Sequence, residues 1–173
     1  MIISVEKAKE LVDFKGWTDE KIAHKLKAVE QVIRKYTNNN FQERAYRKTA
    51  DIIGGLFYAE DSLFAVGDTV QVSQSELNEG LYTVTGLTIS GFAVEENVVD
   101  ENEVLVTKVK YPDDVIDCAV SLLEWDVKNR EKIGIKSETL SRHSVTYEDS
   151  ASMSNGYPNA ILNSLKLYKK ARF

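Results

Sequence analysis

Apolar positions change their period twice along the chain. In the first third they recur at helical spacing. Ile22, Leu26, Val29, Ile33 and Tyr36 stand four, three, four and three residues apart, one stripe along a helix. Thr18 precedes the stripe as an N-cap, with Asp19 and Glu20 in the first turn, where negative charge suits the helix dipole. A shorter helix is predicted ahead of it, capped by Ser4, running through Ala8, Leu11 and Val12 and broken by Gly16. "TNNN" at 37–40 ends the second helix, since asparagine favours turns and left-handed backbone. Phe41–Ala50 fits either a strand or a further helix.

From about Phe57 the period becomes two. Val70 and Val72 alternate with Thr69, Gln71 and Ser73, and Leu81–Thr85 alternates through Tyr82 and Val84. "NEG" at 78–80 and "SG" at 90–91 read as turns, the second between Thr88–Ile89 and Phe92–Val94, and Val104–Lys110 closes the group. Short strands at this density predict a small antiparallel barrel or sandwich. Pro112 restores the helical period through Val115, Ala119, Leu122, Leu123 and Val127. A polar strand segment, "SETLSRHSVTY" (137–147), and a polar loop, "SASMSNG" (150–156), come next. A last helix then carries Ile161, Leu162, Leu165, Leu167 and Tyr168, with Pro158 in its first turn. The expected class is α+β: mainly a helical bundle, residues 1–57 and 109–173, with an inserted small antiparallel β barrel or sandwich at 58–108.

Composition supports this division. The 173 residues are 43 % hydrophobic, enough for one core or for one domain with an insertion. No apolar run is long enough to span a bilayer. The N-terminus has no basic region leading into an apolar one, so synthesis in the cytoplasm without export is expected. One cysteine, Cys118, rules out an internal disulfide and any multi-cysteine metal site. The net charge of −5 is unevenly placed. Residues 58–107 hold ten acids (Glu60, Asp61, Asp68, Glu76, Glu79, Glu95, Glu96, Asp100, Glu101 and Glu103) and no lysine, arginine or histidine. Such a segment repels phosphate backbones, because nucleic-acid affinity comes mainly from cations.

The chemical candidates are few. His143 stands beside Arg142 and Ser144, and two residues from Ser141. On a strand, adjacent residues point to opposite faces and neighbours two apart run roughly parallel, so a serine–histidine pair is not formed there. No nucleophile elbow is present. His24 lies one residue off the helical stripe, and two distant histidines make no metal site. "DENE" (100–103) lacks the ligand alternation of a calcium loop. Cys118 falls within an apolar helical pattern, as a buried inert thiol does. "GGLF" (54–57) has neither the spacing nor the lysine of a phosphate loop. No catalytic, cofactor or metal residue is assigned, and no enzyme activity is expected. The C-terminal "KLYKKARF" carries Lys166, Lys169, Lys170 and Arg172 beside Tyr168 and Phe173. It reads as a frayed end, a phosphate contact or an anchor in a protein groove.

The order "YPDDVIDCAVSLLEWDV", "IKSETLSRHSVTY", "GYPNAILNSLKLYKKARF", with "TDEKIAHKLKAVEQVIRKYTNNNF" near the start, resembles the head–tail connector (adaptor, head-completion) proteins of long-tailed bacteriophages and prophages. The resemblance is best over 111–173 and weakest over the acidic segment, which is similar to an insertion in some members from Gram-positive hosts. It implies a virion protein, made in the host cytoplasm, that forms a ring, commonly twelve-fold, below the portal. Such a ring meets the portal and the next neck or tail-completion protein, and helps retain packaged DNA that passes without specific binding. Portal docking maps to Lys166, Tyr168, Lys169, Lys170, Arg172 and Phe173. An inter-subunit strand maps to Ser137, Thr139, Ser141, His143, Val145 and Tyr147. The acidic field of Asp68, Glu76, Glu79, Glu95, Glu96, Asp100, Glu101 and Glu103 either lines a DNA conduit or faces a basic partner. The alternative reading is a small nucleic-acid-binding module using the basic tail, which the acid-only segment disfavours.

Overall fold

The computed structural model describes residues 1–59, 63–129 and 153–171, with the backbone alone for 137–140 and 143–146. Two compact units share the chain. One comprises Met1 with Asn40–Tyr111, the other Ile2–Asn39 with Pro112–Phe173.

The first unit is a closed antiparallel barrel of six strands. They are β1 (Gln42–Ile53), β2 (Leu56–Tyr58), β3 (Thr69–Ser73), β4 (Gly80–Thr88), β5 (Gly91–Val94) and β6 (Glu101–Val109). Their order round the wall is β1-β2-β5-β4-β3-β6, with β6 returning to β1. The mainly helical bundle expected from the sequence is therefore corrected: the chain holds a complete six-stranded barrel as well as its helices. Phe41–Ala50, open between helix and strand by its pattern, enters the longest strand. Its burial does not alternate cleanly, because β1 serves two neighbours. It pairs with β6 from Gln42 to Ile52 and with β2 from Asp51 to Ile53. Register shifts between Gln42 and Arg47 and between Ala50 and Ile52 bend it between these partners.

Side chains fill the barrel. Ala50, Ile52, Phe57, Phe64, Val70, Val72, Val84, Phe92, Val104 and Val106 are all buried in one cluster. Phe57 and Phe92 face each other across the β2–β5 pair, stacked at 4.9 Å with 6° between their planes. Phe64 meets Phe92 edge-on at 5.1 Å. Gly91 sits where β2 and β5 approach most closely. A Cβ there would overlap the Phe57 carbonyl oxygen, so the position admits only glycine without moving backbone.

The second unit is helical. It holds α1 (Val5–Leu11), α2 (Asp19–Thr37), α3 (Asp113–Asn129) and α4 (Asn159–Leu162), which tightens into a 3-10 turn, Asn163–Tyr168. Ser4 and Thr18 cap α1 and α2 through their hydroxyls, which accept from the Lys7 and Lys21 amides. The α2 stripe is buried at Ile22, Leu26, Val29 and Ile33, and α2 packs on α3 and on the 3-10 turn. From α3, Val115, Cys118, Ala119, Leu122 and Leu123 complete this core. Asp126 is the buried charge of α3. Its carboxylate accepts from the Tyr157 hydroxyl at 2.7 Å and lies 3.4 Å from the Lys25 ammonium of α2. The last helix is shorter than its apolar pattern implied. Part of the preceding loop forms the strand pair β9 (Met153–Ser154) and β10 (Tyr157–Pro158). Asn155 and Gly156, with φ of 53 and 79, make the tight turn between them.

"SETLSRHSVTY" is not a single strand. β7 (Ser137–Leu140) and β8 (His143–Thr146) pair antiparallel, with Ser137 opposite Thr146 and Leu140 opposite His143.

Gly91→Ala is expected to destabilise the chain by about 1–3 kcal/mol, the usual scale of overpacking, because β2 and β5 must part to admit the methyl group. Urea unfolding of the variant beside the parent checks this; an unchanged midpoint would contradict the close approach.

Candidate functional site

The barrel has two distinct ends. The chain enters at Asn40 and leaves at Tyr111 on one of them. The other is formed by the β1–β2 turn (54–55), the β3–β4 loop (74–79) and the β5–β6 loop (95–100). Strand direction places most of the acidic field there: Glu76, Glu79, Glu95, Glu96, Asp100, Glu101 and Glu103, with Asp51 beside them on β1. Asp68 is the exception. It lies at the entry end, 2.6 Å from the Lys108 ammonium, and also accepts from the Ala65 amide.

The acidic end is stiffened from within. Glu101, at the start of β6, accepts from the Ser75 hydroxyl at 2.5 Å, the Glu76 amide at 2.6 Å and the Asn78 side-chain amide at 2.7 Å. Asn78 ties this loop to the next one. Its amide nitrogen donates to the Val99 carbonyl at 3.0 Å and its oxygen accepts from the Val99 amide at 2.8 Å. Asp100 accepts from the Gly54 amide at 2.8 Å, joining the third loop. The Ser75 hydroxyl, then the Glu76 amide, the Asn78 side chain and the Leu77 amide hold the Glu101 carboxyl below the usual carboxylate range, against the opposing effect of burial. Glu101 is therefore a structural staple. Glu76, Glu79, Glu95, Asp100 and Glu103 are exposed and Glu96 is half-buried. Among them stand three exposed apolar residues: Leu77 (65 %), Val99 (55 %) and Ile53 (53 %). With the bases of β1 and β6 included, residues 40–111 hold twelve acids and five bases, so the unit stays acidic. Among the described residues no group of three or more histidines, cysteines or carboxylates is placed to hold a metal ion.

A second surface is built by the C-terminal segment. Asn38 ends α2 in the left-handed conformation, with φ of 49. Its side-chain amide donates to the Ala171 carbonyl at 2.9 Å, and the Thr37 carbonyl accepts from the Lys170 amide at 2.8 Å. The Asn39 side chain donates to the Tyr168 carbonyl at 3.3 Å. The Tyr168 hydroxyl donates to Asp114 at 2.7 Å, and the Lys169 ammonium sits 3.9 Å over the Tyr36 ring. The Asp114 carboxylate, with burial, raises the Tyr168 hydroxyl above its ordinary range. The asparagine run is thus a clip as well as a helix terminator. Lys166 and Lys170 remain exposed, and Leu167 between them is 92 % exposed.

The structure brings Lys166, Tyr168, Lys169 and Lys170 together on this clipped segment and gathers seven of the eight acidic residues at one barrel end. Ser137, Thr139, His143 and Val145 lie on the β7–β8 hairpin. Ser141, Tyr147, Arg172 and Phe173 lie outside the described residues, as do Glu60 and Asp61. Cys118 is buried, and burial raises its thiol above the ordinary range. The contacts of Asn38, Asn39 and Asp114 with the C-terminal segment were not visible from pattern, since each joins residues distant in sequence. The one local signal was the asparagine run itself. No described helix is long and apolar enough to cross a membrane. Comparison with protein-family models and with curated proteins finds no match to this chain.

Because the folded chain favours ionised Glu101, its contribution to stability is complete above the unfolded carboxylate value of about 4.3. That contribution is lost as pH falls below this through the lower folded value. Glu101→Gln is expected to lower stability at neutral pH and to flatten the acid limb of a stability–pH curve between about pH 5 and pH 3. Urea midpoints across that range check it; an acid limb of unchanged slope would contradict the staple.

Proposed function

We propose that this chain is a structural neck protein of a long-tailed phage or prophage. In this reading it forms a ring below the portal, joins head to tail and extends the DNA channel. The ordered motifs over 111–173 suggest it, and the observation that carries it is the β7–β8 hairpin. Among the described residues the hairpin pairs with no third strand, and the edge of a small sheet is a template on which another chain can pair. A two-stranded hairpin is marginally stable alone in water. Strand addition from a neighbouring copy would satisfy those edges through backbone bonds, without an apolar face. Polar residues such as Ser137, Thr139 and Ser144 suit a surface that is wet before assembly and paired after it.

The barrel fits the same reading. Its interior is filled by apolar side chains, and Glu76, Glu79, Glu95, Asp100 and Glu103 are exposed, so it presents an anionic surface. An anionic surface suits a neck component beside DNA that must slide past without binding.

Replacing residues 137–146 by a flexible glycine–serine linker tests the proposal. Assembly with purified portal is expected to be lost, while the urea unfolding of the barrel is retained. Ring assembly at the parent level, followed by negative-stain microscopy, would contradict it.

A further inference from the structure

We propose that the acidic end of the barrel in one copy receives the C-terminal segment of a second copy. The inference rests on the ring reading above and moves the C-terminal segment from the portal to the neighbouring subunit.

The two surfaces match in three respects. The first is charge: the barrel end carries Glu76, Glu79, Glu95 and Glu103 exposed, and the segment carries Lys166 and Lys170 exposed. The second is apolar content. Leu77 and Val99 stand among the acids, and Leu167 stands between the lysines, each more than half exposed. An apolar centre with a charged rim is the anatomy of a protein interface, where the centre supplies affinity and the rim supplies orientation. The third is rigidity. Glu101 and Asn78 fix the loop that bears Leu77, and Asn38 with Thr37 fixes the segment that follows Leu167. Two ordered surfaces lose less conformational entropy on meeting than two mobile ones.

The contact is heterologous, since different surfaces of each copy meet. Repetition of such a contact makes a ring when its rotation closes and a filament when it does not. A DNA phosphate backbone is the wrong sign for the barrel end. The matching cations occur on this chain itself, which makes a second copy the occupant.

Sedimentation velocity over a concentration series tests the proposal with the full chain. Two double variants are needed, Glu76→Lys with Glu79→Lys, and Lys166→Glu with Lys170→Glu. Each is expected to weaken self-association at least tenfold, as is raising the salt from 50 mM to 500 mM. Mixing the two variants in equal amounts is expected to restore association, because each then offers the other an opposite charge. Circular dichroism establishes that they remain folded, and Leu77→Ser and Leu167→Ser carry the same test if either charge variant does not. A chain monomeric at every concentration, association unmoved by either reversal, or a mixture no stronger than its components would overturn the contact. A closed ring insensitive to both reversals would keep the ring and overturn this contact. Open chains that lengthen with concentration and respond to both reversals would keep this contact and overturn the closed ring.

Discussion

The pairing of β1 with β6 is the constraint on which the rest of the structure depends. It closes the barrel, so none of the six strands is left as an unpaired edge. It also returns the chain to its point of entry. Gln42 lies opposite Val109, the Lys110 amide donates to the Phe41 carbonyl at 3.0 Å, and the Phe41 and Tyr111 rings meet at 4.9 Å. Because entry and exit adjoin, a whole barrel can interrupt a helical unit without separating its halves. Helices α2 and α3 pack together although the barrel lies between them in sequence. Without that closure the loop-closure entropy between the two helices would oppose their meeting.

Closure has a second consequence. It collects the loops remote from the chain's entry point into one end, and these are the loops that carry the acids. Like charges so concentrated repel, and the chain offsets this locally by engaging some of them. Glu101 is held by Ser75, Glu76 and Asn78, and Asp100 by Gly54, while Glu76, Glu79, Glu95 and Glu103 are exposed. A stiff anionic surface with apolar residues set in it is the result. The C-terminal segment is its counterpart in the helical unit, a cationic stretch held by α2's final turn. Both are held by hydrogen bonds within the chain, and pre-ordered surfaces lose less conformational entropy on binding than mobile ones.

Much of this was legible in the sequence, and what was hidden has a common cause. The α2 stripe showed because a helix buries one face at a fixed period, and Val70 and Val72 showed because a barrel strand buries alternate residues. β1 did not, since Gln42–Lys48 is mostly polar, with Arg44 and Ala45 exposed and the rest half-buried, and the strand divides its pairing between β6 and β2. The pairing of β7 with β8 was invisible because no glycine, proline or asparagine interrupts the polar stretch 137–146. The acidity of 58–107 was plain from composition, but its concentration at one barrel end follows from strand order. The clip joins Asn38 to Ala171, a contact that no local pattern encodes. Local periods report burial, whereas surfaces assembled from distant residues are set by topology.

The measurement that bears most directly on the proposed neck function is native mass spectrometry of the chain with a purified phage portal assembly. If the proposed neck function holds, a closed species near twelve copies is expected, bound to the portal. A chain that stays monomeric in the portal's presence, across a concentration series, would contradict it.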